Sequence, residues 1–354
     1  MTNAATGLWE TLRGAGLVAG AAPADTQPAT AWYVNVMLGV TGWIAALLLI
    51  GFFGVALEAV FRSSGVAFAV GGALLVAAYS ILRIAGTGAF VSQMGLAVSL
   101  AGQALVVGAL YSELHSHRTE CWLLIAALEA ALAFAIPNFI HRVWSAYAAA
   151  TALTISVAAA GAYFISAGPI AAFVALLWLN ELRWAVRAPL LRPIAYGLTL
   201  ALVQIPLPYA FGRLGSAVMS ALGGLGGLPA WISELLVAGM LVFVVYRLLI
   251  NAGAELSSRG AIVALAGTVL VGVISMQAPG IAVALMIALL GFAGGNRTLT
   301  GLGIAALISY VSAYYYALEV TLLLKSAVLA GTATVLLAAR WAKTRLQDED
   351  DADA

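Results

Sequence analysis

From Trp32 to Trp341 the chain is a succession of long apolar runs separated by short turns rich in polar residues, Gly or Pro. A helix of about 20 apolar residues crosses a bilayer. The runs are continuous rather than alternating, so a membrane β-barrel is not expected. Twelve helical spans are predicted. The first six are Trp32–Val60, Gly65–Leu82, Ala89–Tyr111, Cys121–Ile136, Val143–Ile165 and Pro169–Val186. The second six are Pro193–Phe211, Ala230–Ile250, Gly260–Gln277, Ile281–Gly294, Leu299–Tyr316 and Val320–Trp341. The expected fold class is all-α, a polytopic transmembrane helix bundle. Its parts are a cytoplasmic N-terminal tail (1–31), two six-helix halves (32–187 and 188–342) and an acidic cytoplasmic tail (343–354).

Composition agrees with the pattern. The chain is 63% hydrophobic and 9% charged, with a mean hydropathy of +1.04. A soluble domain carries about 25% charged residues, so this surface suits lipid rather than water. The formal net charge is +1, which gives no reason to expect a nucleic-acid partner. The single Cys121 excludes an intrachain disulfide and a multi-cysteine metal site. The first basic residue is Arg13 and no apolar core precedes Asp25, so residues 1–30 are not expected to be a signal peptide. Pro23 and Pro28 separate this tail from the first span, and QDEDDADA at the other end is a solvated like-charge run.

The basic residues orient the bundle. With a cytoplasmic N-terminus the inside segments hold Arg13, Arg83, Arg142, Arg183, Arg187, Arg192, Arg247, Arg259, Arg297, Arg340, Lys343 and Arg345. The outside segments hold Arg62, Arg118 and Arg213. Cytoplasmic loops are enriched in Lys and Arg, so both termini are expected inside. Tryptophans near span ends, Trp122, Trp144, Trp178 and Trp231 among them, and the Tyr314–Tyr316 run fit headgroup-level belts.

Weak self-similarity accompanies the even span number. Val98–Gly102 in the third span resembles Val263–Gly267 in the ninth, and Leu132–Asn138 resembles Leu290–Asn296. Arg183–Ala185 matches Arg340–Ala342, and Tyr79, Leu82, Ala85 and Gly86 align with Tyr246, Leu249, Ala252 and Gly253. Two explanations stand: parallel six-helix repeats, or chance matching within an Ala/Leu/Gly/Val-rich chain.

Few polar residues interrupt the spans. Glu129 falls in the middle of the fourth, where an ionised carboxylate costs about 2.5 kcal/mol or more unless it faces a partner or cavity. It either couples to protons or, protonated or hydrogen-bonded, pins helices together. Lys325 falls one to two turns into the twelfth span, at a depth that would match Glu129, and can alternatively snorkel outward. Glu319 fits the N-terminus of that helix, favoured by its dipole. Gln103, Asn180, Glu181, Gln204 and Glu234 complete the candidates for an intramembrane polar or ion pathway, with interhelical hydrogen bonding the ordinary alternative. Pro206 and Pro208 interrupt the seventh span. His115 and His117 alternate in an outer loop, but a metal site needs further ligands than that loop offers. His141, after Pro137-Asn138, is expected to be a turn residue. No nucleophile–base pair, metal set or phosphate loop is visible, so neither enzyme activity nor a cofactor is expected.

Several segments resemble a known family: Trp32–Val34 with Gly39–Trp43, LAVSLAGQAL (Leu96–Leu105), PNFIHR (Pro137–Arg142), WLNE (Trp178–Glu181), LRPIAYG (Leu191–Gly197), Gly291–Arg297 and Tyr314–Ser326. Together they resemble the bacterial integral membrane proteins grouped as domain of unknown function 4401. The resemblance implies a bacterial inner-membrane location and a neighbouring GDYxxLxY-domain protein as partner, and assigns no functional residue. A secondary transporter is the expected activity, with a non-transporting accessory or scaffold subunit of a membrane complex as the alternative. A polar midplane cavity at Glu129 would favour the first and a packed core the second.

Overall fold

The structure is a computed structural model that describes residues 63–84, 89–114, 118–210 and 230–317, with 9–11, 13–16, 37, 41, 44 and 48 near the N-terminus. Every regular element among these residues is helical. The second to eleventh predicted spans each overlap one helix: α1 (Ser64–Ile84), α2 (Ala89–Leu114), α3 (Arg118–Ala135), α4 (Phe139–Ala159), α5 (Ala167–Leu179), α6 (Ala188–Gln204), α7 (Ala230–Asn251), α8 (Arg259–Ser275), α9 (Ile281–Ala293) and α10 (Arg297–Ala317). The first and twelfth predicted spans, with Glu319 and Lys325, lie outside the described residues.

Boundaries moved where local chemistry overrides hydropathy. The sixth span was expected to run to Val186, but α5 stops at Leu179 and a 3₁₀ segment, Glu181–Arg187, follows. The Asn180 side chain donates back to the Leu176 carbonyl at 2.9 Å, satisfying an acceptor that the helix end leaves free. At Pro206, which lacks an N–H, α6 has already ended, and a four-residue helical segment, Leu207–Ala210, carries the chain on.

Five stretches are long and apolar enough to cross a membrane: Ser64–Arg83, Val91–Leu114, Glu181–Gln204, Trp231–Asn251 and Arg297–Tyr316. Their outward side chains are apolar, for example Val66, Phe68 and Val76 on α1. The shorter α8 is similar, exposing Val263, Val269, Leu270 and Val273. Water offers nothing to such a surface and hydrocarbon does. The chain is therefore of membrane type.

α5 and α9 form the centre. Each has 13 residues, about 20 Å of helix, which falls short of the roughly 30 Å of a bilayer's hydrocarbon. Both are apolar all round: one face packs into the core, while α5 also exposes Phe173 and Leu176 and α9 exposes Phe292 near its end. Ala171, Val174 and Ala175 of α5, and Ala282 to Ala284, Met286 and Ile287 of α9, have no exposed surface. Trp178 belongs to this core rather than to a headgroup belt: its ring meets Tyr196 edge-on at 4.9 Å and its Nε1 donates to Thr199 Oγ1 at 3.1 Å. Trp144 and Trp231 are half exposed, as a belt requires.

Two tight hairpins share a turn design. Asn138 accepts from the His141 N–H at 3.1 Å and starts α4, while Asn296 accepts from the Leu299 N–H at 3.1 Å and starts α10. These turns mark one end of the bundle, the asparagine end. At the opposite end Tyr163 donates to the Ile205 carbonyl at 2.8 Å, Tyr310 donates to the Val203 carbonyl, and Tyr314 donates to the Pro279 carbonyl at 2.7 Å. Tyr314 thus turns inward, unlike the 81% exposed Tyr316 of the same run. This is the tyrosine end.

Candidate functional site

α3 and α4 lie antiparallel through the Ile136–Asn138 turn, with α2 against them. Small side chains bring the helices close. Gly102 of α2 lies against Gly71 of α1 so closely that a Cβ on Gly102 would meet the Gly71 carbonyl oxygen at 2.7 Å. That contact fixes the height and rotation of α2, and so aims the next residue, Gln103, into the cleft between α3 and α4.

Five polar side chains meet there. Gln103 Nε2 donates to Glu129 Oε2 and lies 3.4 Å from Ser145 Oγ. Ser145 Oγ and the Glu129 carboxylate thus lie side by side, sharing Gln103 Nε2, and Ser145 Oγ sits 3.2 Å from His141 Nε2. The other imidazole nitrogen, Nδ1, is 2.9 Å from Ser99 Oγ. Burial is complete for Ser99, His141 and Ser145, and Glu129 and Gln103 are 2% and 3% exposed. The chain of contacts runs Ser99–His141–Ser145–Gln103–Glu129, with Gln103 Nε2 between the last hydroxyl and the carboxylate. It begins near the asparagine end, where Asn138 Nδ2 lies 3.5 Å from Ser92 Oγ, and it ends inside α3.

A buried carboxylate costs little only when its oxygens find donors. Gln103 and Ser145 provide them here. Gln103 Oε1 is itself buried with no hydrogen-bond partner, an incomplete element in an otherwise satisfied network.

A second carboxylate is buried at the tyrosine end. Glu234, in the second turn of α7 and 3% exposed, accepts from Ser275 Oγ at 2.6 Å and from the Gly280 N–H. Gly280 has φ of 100°, a left-handed conformation, and a Cβ there would meet the Tyr310 ring at 2.8 Å. Glu234 therefore ties α7 to the end of α8 and the start of α9. The remaining candidates are more peripheral. Gln204 Oε1 accepts from Thr151 Oγ1 at 3.3 Å, joining α6 to α4. Glu181 pairs with Arg192 at 3.1 Å in a shallow cleft with Trp178 and Trp184, and Arg192 is half exposed, so the pair adds little stability.

A family model described as a domain of unknown function (DUF4401) matches residues 31–346, nearly the whole chain. The chain belongs to this family. It matches no curated protein and no solved structure. Membership in the DUF4401 family thus brings a fold-length match and no assigned chemistry, and the site must be argued from its own residues.

In this DUF4401 chain the structure unites Glu129 with Gln103 and keeps Glu234, Gln204, Asn180 and Glu181 apart from them. The expected partner of Glu129, Lys325, lies outside the described residues. His141 was expected in the turn, yet it is a fully buried residue of α4. Ser99 and Ser145 were not singled out at all. A signal existed: His141 and Ser145 are four apart, as are Ser99 and Gln103, so each pair occupies one helix face.

Proposed function

We propose that this chain is a twelve-span bacterial inner-membrane protein, with both termini cytoplasmic, that acts as a proton-coupled secondary transporter rather than an enzyme. One observation carries the reading: Glu129 is buried inside α3 beside a series of hydrogen-bonding side chains, Ser99, His141, Ser145 and Gln103, that lies toward one end of the bundle. Intramembrane carboxylates linked to histidine and hydroxyl groups are the usual parts of proton relays. The topology is supported by the basic residues. Arg83, Arg142 and Arg297 lie at helix ends on the asparagine side, whereas Arg118 starts α3 at the opposite end. The like-placed Asn138 and Asn296 turns support a parallel duplication.

The test uses proteoliposomes of the purified chain under an imposed pH gradient, with interior pH read by a trapped dye. Sugars, amino acids and organic anions are added in turn. One solute class should dissipate the gradient with wild-type protein and not with Glu129→Gln. A response unchanged by Glu129→Gln removes Glu129 from the mechanism.

A second reading, an accessory subunit that stabilises a neighbouring membrane protein, is favoured by the close packing around Glu129 and Glu234, each enclosed by donors, which is the packed core expected of such a subunit rather than the polar cavity expected of a transporter. No solute response at all, together with copurification of a GDYxxLxY-type membrane protein, would select it.

A further inference from the structure

His141 lies between two serine hydroxyls, Ser99 at Nδ1 and Ser145 at Nε2. That arrangement has a specific consequence. A neutral imidazole has one N–H donor and one acceptor nitrogen, and a partner that can only accept locks the tautomer. A hydroxyl both donates and accepts. Flanked by two of them, His141 can be bonded with its proton on either nitrogen, and Ser145 turns its one O–H toward Nε2 or toward Glu129 accordingly.

We propose that Ser99, His141 and Ser145 form a proton relay that loads Glu129 from the asparagine end of the bundle, with Gln103 as a positioning residue. The proposal deepens the transport reading, and its assignment to the cytoplasmic side rests on the topology given there. The transfer balances as follows. A proton arriving by way of Ser99 forms an Nδ1–H bond on His141. The Nε2–H bond breaks and its proton passes to Ser145 Oγ, whose own O–H proton passes to the Glu129 carboxylate. Glu129 gains one proton, Ser145 and His141 keep their proton counts, and His141 has changed tautomer. Moving the proton out again reverses every step and restores the first tautomer.

The surroundings fit a relay that stops at Glu129. Toward the asparagine end the path offers Asn138 and Ser92 at the helix cap. Beyond Glu129 toward the tyrosine end, α3 presents Ala126 and Ile125 to the core. The sequence neighbour of His141, Arg142, is turned toward α6, where its Nη1 donates to the Pro189 carbonyl at 2.9 Å. α2 contributes Ser92, Ser99 and Gln103, none of them titratable. Glu129 is the one acid facing the path from α3 among the described residues.

Infrared spectroscopy tests the relay without a known transport substrate. The carboxyl C=O band of Glu129 is identified in proteoliposomes by its loss in Glu129→Gln, and its deuterium shift is timed after mixing with D₂O. Wild type should exchange within the mixing time. His141→Leu and Ser145→Ala should each slow exchange at least about tenfold, the scale on which a positioned proton-transfer group acts. Ser156→Ala, which removes a bond to the Thr119 carbonyl far from His141, should exchange like wild type. Folding is followed through the buried Cys121, which stays unreactive to thiol dyes while the bundle is intact. Equal exchange rates in wild type, His141→Leu and Ser145→Ala would overturn the relay, as would the lack of a protonated Glu129 band at any pH. A relay that passes this test while every solute fails in the gradient assay leaves the relay standing and rejects transport.

Discussion

At the scale of single residues, Glu129 shows how a costly group is kept. Its two neighbours Gln103 and Ser145 are polar side chains on different helices, so the packing of α2 and α4 against α3 decides whether they meet it. Gln103→Leu would remove one donor and leave the carboxylate under-bonded, costing about 1–3 kcal/mol. Glu129→Gln keeps the shape and removes the charge, so it should be nearly neutral for folding. The rate of Cys121 modification during heating measures both, since a thiol with 1% exposure becomes reactive only on unfolding. A midpoint for Gln103→Leu equal to wild type would show that the bond contributes nothing.

At the scale of elements, the turns carry more than their length suggests. Asn296 caps α10 and also bonds the Tyr196 hydroxyl, 2.7 Å from its Nδ2, which ties the α9–α10 hairpin to α6. Asn296→Ala should therefore lower stability by about 2 kcal/mol, the upper range for a lost cap. Asn138→Ala loses a cap and a weaker contact to Ser92, and should cost about 1 kcal/mol. Thermal midpoints of the two variants, read in the same detergent, check the order. Gly280→Ala combines a left-handed backbone with a clash against Tyr310, and about 1–3 kcal/mol of strain should follow. Its midpoint should fall, and tyrosine packing monitored by near-UV circular dichroism should loosen.

At the scale of the molecule, the arrangement of ends is the testable quantity. Cysteines introduced at Ser112, near the end of α2, and at Gly295, in the α9–α10 turn, lie at opposite ends of the bundle. In a Cys121→Ser background, an impermeant thiol reagent added outside intact cells should label position 112 and spare 295. Labelling of both from one side would reject the proposed orientation. The two buried acids also sit at different depths, Glu129 inside α3 and Glu234 near the tyrosine end, and a serine beside Glu129 bonds a histidine.

The sequence by itself determined the helices. Apolar runs between Gly, Pro and charged turns placed α1 to α10, though not all their ends, because in lipid a chain must satisfy its backbone within each segment. It also singled out Glu129, since an acid in an apolar run carries a cost visible in one dimension. Tertiary structure alone decided the partners. Whether Ser99, 42 positions from His141, faces it or faces lipid depends on helix rotation, and that is set by contacts such as Gly71 against Gly102. Hydropathy is nearly blind to serine and to a lone histidine at a helix start, so His141 could be taken for a turn residue. The short length of α9 was visible and that of α5 was not, since its apolar run continues through the 3₁₀ segment. The place of both in the core depends on which longer helices pack against them, and no local pattern encodes that.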